Sequence, residues 1–345
     1  MRILLLSPLP PPIGGIATWT SIFLNSKELK KYKVDIVNTS ILGERKNKRI
    51  DLYNEFKRSG LIIINLLKKI SKKPQIVHLN TSCGSKGIFR DYICAIIVKK
   101  LKLKLLIQYH CNIDDMIKNN FQKKILKKLL VQSDINLVLN KDSKQYLKKI
   151  GYDSKIIPNF VSEKNFNKFL YLRKKERINR IIYTGRIRRD KGCLEILEVA
   201  KEFPNIEFIL IGNLEEDFSE MKKSTNVKFL GVIKLEEVYK ELEKGDIFLF
   251  PSYSEGFPNS VLEAMTYGLP IIATNVGALE DMIENKGGFL LKTLEITEIK
   301  EKISLLDTNF KLRFEMGKWN REKVKKYYLE EVVIKKILKI YEEGI

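Results

Sequence analysis

The chain has no run of eighteen apolar residues. Its longest apolar stretch, Leu61–Leu67, is interrupted by Asn65 and stops at Lys68, so no segment has the length or apolarity of a membrane-spanning helix. Cysteine and histidine are scarce. Cys83, Cys94, Cys111 and Cys193 show no C-x-x-C spacing, and His78 and His110 are the only histidines, which argues against a structural zinc site and against a disulfide scaffold. A G-x-G-x-x-G fingerprint is missing, which counts against an NAD enzyme. No Asp-x-Asp follows a strand, and Asp114-Asp115 has the wrong spacing, so no metal or other cofactor is expected. The start, Met1-Arg2 followed by Ile3–Leu6 and Pro8, is too short for a signal-peptide core and reads as a first buried strand. Unpaired thiols without an export signal make the cytoplasm the expected location.

What is present is enough apolar material, 44% of 345 residues, to fill two cores. The charge is lopsided. Residues 1–170 carry 33 Lys and Arg against 12 Asp and Glu, and the remainder carries 30 of each. The whole net charge of +21 therefore sits in the first half, as expected of a domain that meets an anionic surface.

Apolar strands alternate with amphipathic segments throughout, the pattern of parallel sheets wound with helices. Strands are expected at Ile3–Ser7, Val34–Asn38, Gln75–Asn80, Lys104–Tyr109, Ile135–Asn140 and Lys155–Ile157. A polar, basic connection spans Ser162–Arg180. A second set follows at Arg180–Thr184, Glu207–Ile211, Val227–Phe229, Ile247–Phe250, Ile271–Thr274 and Phe289–Leu291. This gives domains over 1–165 and 175–330, then a helix over 331–345 that can pack back on the first domain. In open α/β sheets ligands bind beyond the carboxyl ends of strands, so strand-end motifs carry the chemistry.

The most informative stretch is Ser252-Tyr253-Ser254-Glu255-Gly256-Phe257-Pro258-Asn259-Ser260-Val261-Leu262-Glu263. It leaves a strand and enters a helix capped by Asn259 or Ser260, whose free N–H groups and positive dipole end suit a phosphate. Glu255 precedes that helix and Glu263 lies one turn inside it, placed to bond hydroxyls at two parts of one ligand. A second turn, Thr184-Gly185-Arg186-Ile187-Arg188-Arg189-Asp190-Lys191-Gly192, brackets a guanidinium and an ammonium with glycines, a combination fit for a pyrophosphate.

Together these segments resemble the retaining glycosyltransferases of family 4. The match is the Glu255-x7-Glu263 spacing and the Gly185-Arg186-x4-Lys191-Gly192 turn, each in its strand–helix setting. The resemblance implies the α/β GT-B architecture, two Rossmann-like domains facing a central cleft. It implies that Glu255 touches donor-sugar hydroxyls, that Glu263 binds the ribose, and that Arg186 and Lys191 neutralise the diphosphate. Gly256, Phe257, Pro258, Asn259 and Ser260 would lie along the sugar and diphosphate. The segment Pro10–Ile16, with Gly14 and Gly15 free to take positive φ, resembles the family's N-terminal glycine loop beside the diphosphate. His110, ending its strand, matches a histidine that contacts the donor sugar, although Cys111 and Asn112 stand where an acid often follows it. His78 reads as structural, and Asn80, Thr81 and Ser82 as candidates for bonding an acceptor.

The expected reaction is transfer of a sugar from a nucleotide-diphosphate sugar to a saccharide or lipid-linked saccharide, with retention, in cell-surface polysaccharide biosynthesis. In the segment Phe121–Leu130, Phe121, Ile125, Leu126, Leu129 and Leu130 share a helical face among four lysines, and this leaves an anionic membrane surface open as a partner. Nucleic acid ranks lower, because few aromatics interleave with the lysines. A sugar-nucleotide epimerase of the same build and a basic nucleic-acid-binding protein are the alternatives.

Overall fold

The computed structural model describes residues 1–11, 14–40, 52–167, 176–216, 218 and 224–344. The chain forms two units, Met1–Phe160 with Glu330–Ile345, and Val161–Leu329. Residues 168–175 of the expected connection, and Pro12 and Ile13 of the glycine loop, lie outside the described residues.

The first unit holds six parallel strands, β1 (Arg2–Ser7), β2 (Lys33–Asn38), β3 (Ile76–Thr81), β4 (Lys104–Tyr109), β5 (Ile135–Val138) and β6 (Lys155–Ile156), in the order β2-β1-β3-β4-β5-β6. Alternation divides their apolar side chains between two faces. Leu4, Leu6, Val77, Leu79, Leu105 and Ile107 join a core completed by helices Leu52–Ile70, Ser85–Lys100 and Asn120–Gln132. Ile3, Leu5, Ile76, Leu106 and Leu137 face Trp19 and Phe23 of helix Gly15–Asn25, together with Ile334, Ile337 and Tyr341 of helix Glu330–Glu343. The last helix of the sequence is thus part of the first unit's core.

Two local expectations change. The strand expected to run to Asn140 stops at Val138, because Asn140 becomes the N-cap of helix Lys141–Lys149 and accepts from the Ser143 N–H. Phe121 does not share the buried face of its helix. Gln122 completes a capping box with Asn119 and turns inward, which leaves the adjacent Phe121 59% exposed.

The second unit holds β7 (Arg180–Thr184), β8 (Glu207–Ile211), β9 (Val227–Gly231), β10 (Ile247–Phe250), β11 (Ile271–Thr274) and β12 (Gly288–Leu291), all parallel, in the order β12-β11-β10-β7-β8-β9. The chain runs outward from β7 to β9, then returns beside β7 to lay down β10. That reversal is a topological switch point, and the loops after β7 and β10 leave its carboxyl end. In the first unit the equivalent reversal lies between β1 and β3.

Each unit contains one tryptophan, Trp19 and Trp319. In a Trp319→Phe background, Trp19 fluorescence should report unfolding of the first unit alone. Ile337→Ala, which opens the fully buried contact of the last helix, should then lower stability by about 2–5 kcal/mol in a urea titration. An unchanged midpoint would show that this helix does not support the unit.

Candidate functional site

In the second unit three strand-end loops converge on one spot. Gly192, at φ 71°, closes the turn after β7. A Cβ there would lie 1.9 Å from the carbonyl oxygen of Pro251, just past β10, so only glycine lets the two backbones meet. Gly277, at φ 59° after β11, does the same for the next loop, since its Cβ would fall 2.2 Å from the Glu255 carbonyl oxygen. The Ala278 N–H bonds the Gly256 carbonyl at 3.0 Å.

These approaches bring together side chains 64 residues apart. Lys191 Nζ lies 2.6 Å from Glu255 Oε1 and also donates to the Ser254 carbonyl at 3.0 Å. Ser252, fully buried, bonds the same carboxylate oxygen at 3.0 Å. Both partners of the ion pair are largely buried, so each neutralises and orients the other. Arg188 is taken up by Asp190 and Glu215, and Arg189 by Glu216. Arg186 differs. It is exposed, and among the described residues its guanidinium has no carboxylate partner. Gly185 begins this turn, and the Tyr183 hydroxyl donates to the Arg186 carbonyl at 2.8 Å, fixing the backbone while the side chain stays outside.

Helix Asn259–Thr266 starts beside this cluster. Its N-cap is Pro258, not Asn259 or Ser260. The Pro258 carbonyl accepts the first intrahelical bond, from Leu262. Pro258 offers no side-chain cap, and the first turn of the helix holds no acid. Phe257 is buried in T-shaped contact with Tyr328. Glu263 is partly buried, and burial raises its carboxyl from 4.5 to about 7. Among the described residues this carboxylate has no hydrogen-bond partner. Tyr239 and Tyr267, stacked at 5.7 Å, are close enough to feel its charge.

The first unit, described by itself, holds Gly14, Gly15 and His110. Gly14 is extended, at φ −174°, with open space where a Cβ would point, and Gly15 begins helix Gly15–Asn25. Neither takes up the positive φ open to a glycine. His110 is partly buried, with Nε2 3.0 Å from Asn80 Oδ1 and its ring in edge contact with Trp19 at 5.4 Å. Burial lowers its pKa to about 3. After it Cys111 turns inward against Cys83, so the residue in the usual acid position is a core thiol. His78 is fully buried and shares a hydrogen bond with the Tyr341 hydroxyl at 2.5 Å.

The acceptor expectation for Asn80 and Thr81 is not met by their placement. Both are buried, Asn80 bonding Ser7 and His110 and Thr81 accepting from the Cys83 N–H, and only Ser82 is left exposed. Among the described residues no group of three or more His, Cys, Asp or Glu side chains is arranged to hold a metal ion.

Residues 164–323 match the family described as Glycosyl transferases group 1. The matched residues fall in the second unit. Over 99% of its length the chain also superposes on sucrose-phosphate synthase from Thermosynechococcus elongatus, covering 98% of that chain with a TM-score of 0.81 at 17% identity. Anabaena Alr3699/HepE, solved in complex with UDP and glucose, gives a TM-score of 0.76 at 15% identity over 99% of this chain and all of its own. The two six-stranded sheets are those of the GT-B fold. In sequence the chain is 28% identical over 170 residues to the capsular polysaccharide biosynthesis glycosyltransferase CapM of Staphylococcus aureus, spanning 46% of this chain and 44% of CapM. In the second unit, Ser252 and Gly277 were not expected as site residues. Gly277, as a glycine just past a strand, gave the one sequence signal for its part; Ser252, a common residue in a loop, gave none.

The lone carboxylate of Glu263 yields a pH test. Its folded pKa lies above its unfolded value, so the native state loses stability as pH rises from about 4.5 towards 7. Glu263→Gln should match the parent below pH 4.5 and exceed it above pH 7, by on the order of 3 kcal/mol. Denaturant titrations across pH check this, and parallel curves would refute it.

Proposed function

We propose that this protein is a retaining glycosyltransferase that moves a sugar from a nucleotide-diphosphate sugar to a saccharide or lipid-linked saccharide, in cell-surface polysaccharide biosynthesis. The observation that carries this reading is the exposed guanidinium of Arg186, without a carboxylate among the described residues, in the turn whose Lys191 reaches Glu255. Cations elsewhere in the turn are matched by acids; this one has no carboxylate partner among the described residues, and a diphosphate would complete it.

In this reading Arg186 and Lys191 meet the diphosphate, Glu255 the sugar hydroxyls and Glu263 the ribose. Gly14, Gly15, Gly185 and the segment Gly256–Ser260 line the path of the donor, and His110 contacts the sugar. As the anomeric bond breaks, negative charge grows on the leaving phosphate oxygen. Lys191 and the N–H groups of helix Asn259–Thr266 are fixed before the reaction and favour that charge without reorganising, and the Arg186 guanidinium adds its charge from the surface. Lys191, held by Glu255, links sugar recognition to leaving-group stabilisation. The phosphate charge is met by side chains and a helix end, with no role for a metal. Retention rests on the family resemblance. The capsular-polysaccharide role named for CapM and the UDP and glucose bound by HepE support the substrate classes.

Arg186→Ala should reduce turnover about a hundredfold, the effect of losing roughly 3 kcal/mol of transition-state stabilisation. A thermal-shift screen with UDP-, GDP-, ADP- and dTDP-sugars should reveal the donor, because saturation at about a hundred times Kd adds about 2.7 kcal/mol. If no activated sugar raises Tm, or if Arg186→Ala binds one as tightly and turns over unchanged, the proposal fails.

The lipid-linked acceptor and a place at the cytoplasmic face of a membrane draw support from the outer surface of the first unit. On helix Leu52–Ile70, Phe56 is 79% exposed, and Ile64 and Leu67 are also exposed. Helix Ser85–Lys100 adds the exposed Phe89. Exposed lysines accompany them, including Lys57, Lys68, Lys100, Lys123, Lys124 and Lys127. An apolar surface with cations around it matches an anionic bilayer. The protein should sediment with vesicles containing phosphatidylglycerol and not with phosphatidylcholine alone, and Phe56→Ser with Leu67→Ser should weaken this. Equal recovery with both lipids would remove the membrane from the proposal.

A further inference from the structure

A buried hydrogen-bond chain ends at His110, and its direction is set at the opposite end. Helix Gly15–Asn25 provides a backbone carbonyl, that of Ile16, which can only accept. The Thr20 hydroxyl lies 2.8 Å from it and commits its one proton there. Ser7 Oγ lies 2.5 Å from Thr20 Oγ1, both fully buried. With Thr20's proton already spent, the proton between the two hydroxyls belongs to Ser7. Ser7 can then only accept from Asn80, whose amide nitrogen is 2.9 Å away. The amide oxygen of Asn80 consequently faces His110 Nε2 at 3.0 Å, and an amide oxygen cannot donate.

The reverse amide orientation fails on the same count. It would require Ser7 to donate to Asn80, leaving two oxygen lone pairs facing each other at 2.5 Å without a proton, in a buried site. Asn80 is held in place by strand pairing, in register with Gln108 on β4, two residues before His110. Trp19 sets its edge against both His110 and His78, at 5.4 and 5.7 Å, and restrains the ring.

We propose that Asn80 is a positioning residue that fixes His110 as the Nε2-protonated tautomer and leaves Nδ1 as a bare lone pair, an acceptor for a hydroxyl of the donor sugar. The second part rests on the transferase reading above; the first does not. Burial, which holds the imidazole neutral at physiological pH, agrees with it. His110 on this view is a hydrogen-bond acceptor and orienting group, not a general acid.

With two histidines in the chain, imidazole 15N spectra of the full-length protein can be assigned by comparison with His110→Gln. His110 at pH 7 should show a protonated Nε2 and an unprotonated Nδ1. Asn80→Asp puts a carboxylate against Nε2 and should raise the His110 pKa by about one to three units. Ser7→Ala removes the acceptor that orients the amide and should give a mixture of tautomers, which keeps the test open if Asn80→Asp does not fold. A proton on Nδ1 in the parent protein would overturn the proposal, as would a His110 titration that neither variant alters. Addition of the nucleotide sugar found by thermal shift should move the Nδ1 resonance, whereas the nucleoside diphosphate alone should not. If no nucleotide sugar moves it while the tautomer result holds, the transferase role of His110 is lost and the positioning by Asn80 stands.

Discussion

The second unit's chemistry depends on a backbone approach that only glycine allows. Gly192 brings the turn after β7 against the Pro251 carbonyl, and Gly277 brings the turn after β11 against Glu255. A Cβ at either place would separate loops whose side chains must touch. With the loops together, Lys191 reaches Glu255 and Ser252, and the switch point between β7 and β10 becomes a place where charge is arranged in advance. The ion pair, the exposed guanidinium and the helix end are consequences of this packing.

The charges there divide into two kinds. Lys191 and Glu255 satisfy each other in the folded chain, as do Arg188 and Arg189 with their acids. Arg186 and Glu263 do not find such partners among the described residues. One is a cation kept at the surface by a backbone tied to Tyr183, the other a carboxylate whose burial makes ionisation costly. The partly buried carboxylate reduces stability when it ionises, whereas the exposed guanidinium stays solvated.

The sheets were legible because fully buried parallel strands are short apolar runs between turn residues, as Ile247–Phe250 and Ile271–Thr274 are. The loops around Arg186 and Glu255 were legible because glycines mark where backbones must approach. Other features required three dimensions. Thr20, Ser7, Asn80 and His110 are ordinary polar residues scattered over a hundred positions, and only strand register and one helix carbonyl turn them into a directed chain. The inward turn of Gln122, which exposes Phe121, depends on a capping box that a hydrophobic pattern does not weigh. Pro258 as cap was hidden by the better capping residues that follow it.

The return of helix Glu330–Glu343 to the first unit has a consequence for synthesis. Val161–Leu329 is continuous in sequence, whereas the face of the first sheet bearing Ile3, Leu5 and Leu106, which also meets Trp19 and Phe23, is fully covered only when Ile334, Ile337 and Tyr341 arrive. The unit made first is therefore completed last. Until then the nascent chain carries a partly uncovered apolar sheet face, and holding that face away from other chains during translation falls to the ribosome surface and to chaperones.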